Sequence, residues 1–172
     1  MTQNKLDISR ATEAVKATRF VEALSLLESN LAKDPNHIDS LYLAAVCSRY
    51  LKNYDDSKKY IESLLSQAPD MGRAYQELGH LNRDTGNGEN AIAHYRQACE
   101  LNPALLSSWK ALFDYFQRNK NKPAADHAFM QMNTLQSIPS ILLYISQILN
   151  EGKLGIAEEK CREFLKKNPT NT

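Results

Sequence analysis

The residue types that most often carry chemistry are scattered in this chain. Its four histidines stand at no metal-motif spacing relative to one another or to a cysteine; they are His37, His80, His94 and His127. The three cysteines form no Cys-x-x-Cys pair, which argues against a zinc site or a disulfide framework; they are Cys47, Cys99 and Cys161. We therefore predict no metal site and expect reduced thiols, as in a cytoplasmic protein.

Other patterns that could support catalysis have simpler structural interpretations. Gly86-Asn87-Gly88 lacks the Gly-Lys-Ser/Thr continuation of a phosphate-binding loop and is predicted to be a turn, where Gly and Asn accept a positive φ. Asp55 and Asp56 are expected near a helix start, where negative charge is favourable. The sequence predicts no catalytic residues and no cofactor in this chain, which is expected not to be an enzyme.

Composition narrows the choice of partner. The 172 residues carry 21 basic and 20 acidic side chains, a net charge of +1, which disfavours a nucleic-acid coat or a membrane-surface protein. The most apolar stretch, residues 141–149, is far shorter than the roughly 20 residues of a membrane-spanning helix. The first twenty residues contain no apolar core of a signal peptide. We expect neither nucleic acid nor membrane as a partner.

The elements that would position any functional residue are repeated helices. Pro35, Pro69 and Pro103 are 34 residues apart, and each closes an amphipathic helical pattern. A fourth such segment ends at Pro169. An upstream helix is predicted in each repeat from apolar residues at i, i+3, i+4 and i+7, as in Trp109, Leu112, Phe113 and Phe116. The repeating unit is therefore helix, turn, helix.

The unit resembles the tetratricopeptide repeat. Counted from residue 72, the pattern of bulky, small and proline positions is matched by Tyr75, Leu78, Gly79, Ala91, Tyr95, Ala98 and Pro103. The resemblance implies an all-α, right-handed α-solenoid of about five hairpins in one array. The predicted repeats are 4–37, 38–71, 72–105, 106–137 (shortened, with Ser137 in place of proline) and 138–171.

The resemblance also implies which side chains pack. Bulky residues at repeat positions 4, 7 and 24 should fill the space between helices, among them Phe129 and Tyr144, and Cys161 should be buried. Asp7 and Arg10 occupy positions that would otherwise be buried, so the first helix is expected to act as a cap. No helix follows Pro169, so we expect a fragment of a longer chain that can self-associate through an uncapped C-terminal end.

A narrower resemblance concerns the last repeats. Ala124–Phe129, the shortened fourth repeat and Lys153–Thr172 resemble the N-terminal repeat region of bacterial sulfotransferases that contain these repeats. This implies, as an alternative, a catalytic domain outside these residues in a longer parent protein.

The tetratricopeptide resemblance further implies a concave groove that is lined by the first helix of each repeat and binds a protein or an extended peptide. Transferred to this sequence, the lining residues are Tyr42, Val46, Arg49, Tyr50, Arg73, Gln76, His80, Arg83, Asp84, Lys110, Asp114, Gln117 and Arg118. Five of them are basic, so we expect an acidic peptide as the partner. Asp84 could pair with His80, and Asp114 with Arg118, at a spacing of four residues.

Overall fold

Ten α-helices make up the part of the chain that the computed structural model describes, which is residues 3–167, with side chains from Asp7 onward. No strand occurs within that range. The helices are α1 (Gln3–Lys16), α2 (Phe20–Leu31), α3 (Ile38–Tyr50), α4 (Tyr54–Gln67), α5 (Gly72–Asp84), α6 (Gly88–Leu101), α7 (Leu106–Arg118), α8 (Lys122–Ser137), α9 (Ser140–Asn150) and α10 (Leu154–Lys167). The predicted all-α class is confirmed. Pro169 and Thr170–Thr172 lie outside the described residues.

A left-handed backbone conformation marks the short turn inside every helix pair. Positive φ angles of 54° to 81° occur at Thr18, Lys52, Gly86, Lys120 and Gly152. These five positions are 34, 34, 34 and 32 residues apart. The predicted turn at Gly86 is confirmed. Glycine adopts this conformation freely, whereas threonine and lysine do so at a cost.

The chain divides into two compact units. Unit 1 runs to Asp70 and includes Ala74–His94, and unit 2 comprises Met71–Arg73 and the chain from Tyr95. The predicted repeat boundaries within a single array stay a prediction.

One cluster in the core of unit 1 is rich in small residues. Ala11, Ala14, Ala23, Ala44 and Cys47 surround the fully buried Leu27, and their size lets helix backbones approach closely. A second cluster joins Ala45, Ile61 and Leu81. Buried polar side chains also bridge helices: Asn30 Nδ2 donates to Ser40 Oγ over 2.7 Å, and Ser57 Oγ donates to the carbonyl of Ala45 over 2.9 Å.

The packing of α8 in unit 2 differs from the prediction at one aromatic residue. The buried stripe of α8 contains Ala125, Ala128 and Leu135, so Phe129 lies beside the stripe. That ring is 47% exposed and contacts the ring of Phe113, with centroids 5.7 Å apart. The prediction that Phe129 fills the interior is wrong.

The last helix pair also departs from the expected register. Ile145, Ile148 and Ala157 form its buried cluster. Because the buried face of α9 runs through Ile145 and Ile148, Tyr144 is turned outward and is 45% exposed. Cys161 packs against the cluster but is only half-buried. The expected burial of Tyr144 is therefore wrong.

The first helix carries the two charged residues expected of a cap. The side chain of Asp7 is only 15% exposed and lies 3.9 Å from Lys33 Nζ, while Arg10 is exposed. Asp7 is thus largely buried and paired with a lysine in the turn that follows α2.

Candidate functional site

A buried ion-pair network joins α3 to α5 within unit 1. Arg49 Nε donates to Glu77 Oε1 over 2.5 Å, and Arg49 Nη1 donates to Asp84 Oδ2 over 2.9 Å. The side chains of Arg49 and Glu77 are only 7% and 3% exposed. The sequence predicts Arg49 as part of a basic groove lining, whereas the structure shows its guanidinium buried and bound to two carboxylates.

The burial of this network sets its titration behaviour. Burial raises the pKa of the Glu77 carboxyl, against the opposing effect of Arg49. Burial alone would lower the pKa of Arg49, but its hydrogen bonds to Glu77 and Asp84 and the charge of Glu77 outweigh that effect and raise it. Arg49 therefore stays charged, and the two carboxylates balance it internally.

Aromatic rings extend the network toward solvent. The guanidinium carbon of Arg49 lies 4.5 Å from the ring centroid of Tyr50, within cation–π range. The Tyr50 ring also stacks on Phe20, with centroids 4.5 Å apart and planes 3° from parallel. Tyr50 is nevertheless 55% exposed. The stacking holds a large ring at the surface, where it can contact a partner.

The remaining charged residues at the C-terminal end of α5 lie beside the network. Arg83 is exposed and donates through Nε and Nη2 to Asp84 Oδ1, over 3.1 and 2.9 Å. Asp84 therefore binds Arg49 and Arg83.

Burial, followed by the charges of Arg49 and Arg83, lowers the pKa of His80 to about 4. At neutral pH His80 is an uncharged, half-buried ring.

Unit 2 contains a second ion-pair cluster. Arg73 Nη1 donates to Glu151 Oε1 over 2.9 Å, and Lys153 Nζ donates to Glu151 Oε2 over the same distance. The Glu151 side chain is only 7% exposed. Burial raises its pKa, but the charges of Arg73 and Lys153 and the bonds to them prevail and lower it. Arg73, like Arg49, is thus balanced by an internal carboxylate.

The polar face of α7 remains open. Lys110, Asp114, Gln117 and Arg118 are all exposed. At about 100° per residue they fall within a sector of roughly 100° around the helix. Neither Lys110 nor Arg118 has a carboxylate within 4.0 Å among the described side chains, so the predicted pairing of Arg118 with Asp114 is not formed. The other predicted lining residues, Tyr42, Val46 and Gln76, are half-buried.

Three of the histidines serve packing or capping. The His37 ring accepts a hydrogen bond from the backbone N–H of Ser40 over 3.2 Å and so caps α3. His94 lies against Tyr75 and His127 against Trp109, with ring centroids 6.4 and 5.6 Å apart. Within the described residues no group of three or more His, Cys, Asp or Glu side chains could hold a metal ion.

Sequence reasoning misses the carboxylates that neutralise the basic residues. The repeat pattern assigns no binding role to Glu77 or Glu151. Each carries a negative charge into a largely buried position, Glu77 inside α5 and Glu151 directly after α9. Such a carboxylate requires a buried cation nearby, and that requirement is the signal that could have pointed to Arg49 and Arg73.

Family models identify the repeat in this helical array. Two models described as tetratricopeptide repeat match residues 14–80 and 72–105. Together they span residues 14–105, a little over half of the 172 residues. The chain belongs to the tetratricopeptide repeat family. The predicted family is therefore confirmed.

Solved structures of tetratricopeptide repeat (TPR) proteins share this fold. A structure titled crystal structure of MamA protein is 18% identical with a TM-score of 0.62, and the match covers 96% of this chain and 92% of that one. MamA 41-end from Desulfovibrio magneticus RS-1 is 19% identical with a TM-score of 0.65, and the match covers 78% and 76%. At these identities the likeness shows the fold alone.

An enzyme also contains a similar segment. A mutant of the Thermobaculum terrenum O-GlcNAc transferase is 19% identical with a TM-score of 0.63, over 67% of this TPR chain but only 23% of the enzyme. No curated protein sequence matches the TPR chain. None of the helices in the described part of the chain combines the length and apolar character needed to cross a membrane.

Proposed function

We propose that this TPR chain is a non-catalytic scaffold that binds an extended, acidic peptide along the exposed faces of its first helices. The observation that carries the proposal is the polar face of α7. Lys110 and Arg118 are exposed and have no carboxylate within 4.0 Å among the described side chains. Their charges are therefore available to a partner's carboxylates.

The proposal gives different roles to the basic residues that the sequence grouped together. Arg49 and Arg73 already bind internal carboxylates, so we assign them to holding helices in place. Arg83 shares Asp84 with Arg49 but is itself exposed, and it can rotate to bind a peptide carboxylate. Tyr50 adds an exposed ring that is fixed by stacking on Phe20. In this scheme, affinity comes from α7 and from the exposed rim of the α3–α5 network.

A selection from a random peptide library tests the scaffold without requiring a known partner. We expect the selected peptides to be enriched in Asp and Glu and to bind less tightly as salt rises, because exposed ion pairs are screened. The double variant Lys110→Glu/Arg118→Glu should lose most of this binding. Arg49 is unsuitable for charge reversal, since a third carboxylate would then lie beside Glu77 and Asp84.

The matched control is Lys122→Glu/Lys166→Glu, which makes the same change in net charge at exposed positions on the second helices α8 and α10. It should bind the selected peptides much as the unaltered chain does. Equal losses in both double variants would reduce the effect to net charge and reject the α7 assignment. A selection that yields no binders would reject the scaffold itself.

Self-association is a second proposal and rests on the last helix pair. Tyr144 and Leu149 on α9, and Leu154 and Ile156 on α10, are 44% to 68% exposed. Sedimentation over a range of concentrations should reveal a dimer that Leu154→Glu weakens. A monomer at every concentration would dismiss this proposal.

The sulfotransferase resemblance stays an alternative for a longer parent protein. None of the solved structures described above is titled a sulfotransferase. The reading frame beyond Thr172 tests the alternative directly, because a sulfotransferase would require a phosphate-binding domain there. The cytoplasmic location is likewise proposed, supported by three cysteines that form no disulfide.

A further inference from the structure

Residues of α6, α7 and α8 that belong to unit 2 line a cavity of about 400 Å³, and none of the proposed peptide-contacting residues is among them. This volume falls in the range of roughly 300–1,000 Å³ that is typical of ligand sites. Leu112, Phe116, Ala124 and Ala128 supply apolar surface to it. The cavity could therefore take up an apolar group of moderate size.

One wall of the cavity is aromatic and fixed in place. Trp109 Nε1 donates to the carbonyl of Pro103 over 2.9 Å, which holds the indole and occupies its only donor. The His127 ring meets the indole edge-on, at a centroid distance of 5.6 Å and an interplanar angle of 70°. A flat ring entering the cavity would find preformed aromatic partners.

The same cavity carries a cation without a carboxylate partner. Arg96 is exposed and holds its guanidinium carbon 5.3 Å from the ring centroid of Phe116, and no carboxylate lies within 4.0 Å of it among the described side chains. Glu100 lines the cavity one helical turn away. Arg96 can therefore bind one carboxylate of a ligand. A second carboxylate would find no further arginine or lysine in the lining and would be repelled by Glu100.

The thiol in the lining adds no charge. Cys99 is buried, and burial raises its pKa to about 12. At neutral pH the thiol is protonated and uncharged. Arg96 and Glu100 therefore determine which ligand charge the cavity favours.

We propose that this cavity binds an aromatic or large apolar group that bears a single carboxylate. The ring would lie against Trp109 and Phe116, and the carboxylate would bind Arg96. This chemistry could come from a small aryl carboxylic acid or from the C-terminal residue of another protein. The proposal is independent of peptide binding along the first helices, because the two sites share no residue.

The fluorescence of Trp109 reports on the site directly, since this is the only tryptophan in the chain. We would titrate the full chain at neutral pH with 3-phenylpropionate and with the uncharged 3-phenylpropanol. The acid should give a saturable change in emission, with a dissociation constant about three- to fivefold lower than that of the alcohol. No saturable change with the acid would overturn the proposal.

Two variants and one control variant locate the ligand. Arg96→Gln should bind the acid no better than the alcohol, while Arg162→Gln, an exposed arginine on α10 outside the cavity, should bind as the unaltered chain does. Identical titrations of these two variants would overturn the role of Arg96. Ala124→Leu should fill the cavity and abolish binding of both 3-phenylpropionate and 3-phenylpropanol. Unchanged binding by this variant would show that the ligands bind outside the cavity. Because Arg96 is exposed, Arg96→Gln should fold normally. A loss of binding in this variant would then reflect the missing guanidinium and not unfolding.

A pair of short peptides ending in phenylalanine, one with a free carboxylate and one amidated, identifies the source of the ligand. Tighter binding of the free peptide than of both 3-phenylpropionate and the amidated peptide assigns the site to a protein C-terminus. Tighter binding of the small acid assigns it to a small molecule. In either case the Arg96→Gln variant must remove the preference for the carboxylate.

Discussion

At the scale of single residues, three turns inside the helix pairs hold a non-glycine residue in the left-handed conformation. Lys52 has a φ of 64° although it is not glycine. We expect Lys52→Gly to raise the free energy of unfolding by about 0.5–1 kcal/mol. We expect the free energy gained by removing the left-handed strain to exceed the cost of the extra conformational entropy that glycine gives the unfolded chain. Chemical denaturation followed by circular dichroism measures the difference.

A lysine in regular helix provides the control for this substitution. Lys59 is exposed and lies inside α4, so Lys59→Gly should lower the free energy of unfolding by about 1 kcal/mol. If Lys52→Gly also proved destabilising, the backbone strain at Lys52 would be smaller than the entropy that glycine adds to the unfolded chain.

A single histidine should make stability depend on pH. The pKa of His80 is about 4 in the folded chain, against an ordinary value of 6.5. Between these values the unfolded state binds the proton and the folded state does not. Stability is therefore fully present above pH 6.5 and falls as pH decreases toward 4, by up to about 1.4 kcal/mol per pH unit.

His80→Gln isolates this contribution, because glutamine does not titrate. Denaturation at pH 7.5, 6.5 and 5.5 should show the unaltered chain losing stability relative to the variant as pH falls. Glu77 acts in the opposite sense, since its raised pKa favours the folded state at low pH, but it is present in both proteins and cancels in the difference. Parallel curves would mean that folding does not change the pKa of His80.

At the scale of helices, a buried ion pair joins α3 to α5 beside the apolar cluster of Ala45, Ile61 and Leu81. Arg49→Met leaves the Glu77 carboxylate without its main cation, and Glu77→Leu removes one of two carboxylates from Arg49. We expect each single variant to lose about 3 kcal/mol of unfolding free energy, and the double variant to lose less than the sum of the two. A double-mutant cycle gives the coupling energy.

An exposed ion pair serves as the reference for that double-mutant cycle. Arg19 and Glu22 form a 2.9 Å ion pair, but their side chains are 56% and 52% exposed. Alanine substitutions there should give a coupling energy below about 1 kcal/mol. Equal coupling in the two pairs would mean that burial adds nothing to the Arg49–Glu77 interaction.

The helices could be predicted from the sequence, whereas the state of the charged residues could not. Prolines at 34-residue spacing and apolar stripes such as Leu112 to Phe116 are local signals, and they locate helices directly. The burial of Arg49 depends on a glutamate 28 residues later in a neighbouring helix. The exposure of Tyr144 and Phe129 likewise depends on which face of α9 and α8 is buried, and the repeat pattern does not predict that face correctly here.

At the scale of the whole chain, buried apolar residues are distributed unevenly among the helix pairs. Helices α3 and α4 bury Leu41, Ala44, Ala45, Cys47, Ile61 and Leu64. Helices α9 and α10 bury only Ile145, Ile148 and Ala157, and leave Leu154 68% exposed. In repeat proteins each element contacts mainly its neighbours, so a helix pair with few buried contacts can open locally without the rest.

Hydrogen exchange should therefore resolve this gradient. We expect the amides of α9 and α10 to exchange well before those of α3 and α4, because their opening exposes less apolar surface. Ile148→Ala removes a buried side chain, at a cost of about 2–4 kcal/mol, and should accelerate exchange in α9 and α10 alone. Ile61→Ala is the matched substitution for α3 and α4. If either variant accelerated exchange equally in all four helices, the chain would unfold as one cooperative block.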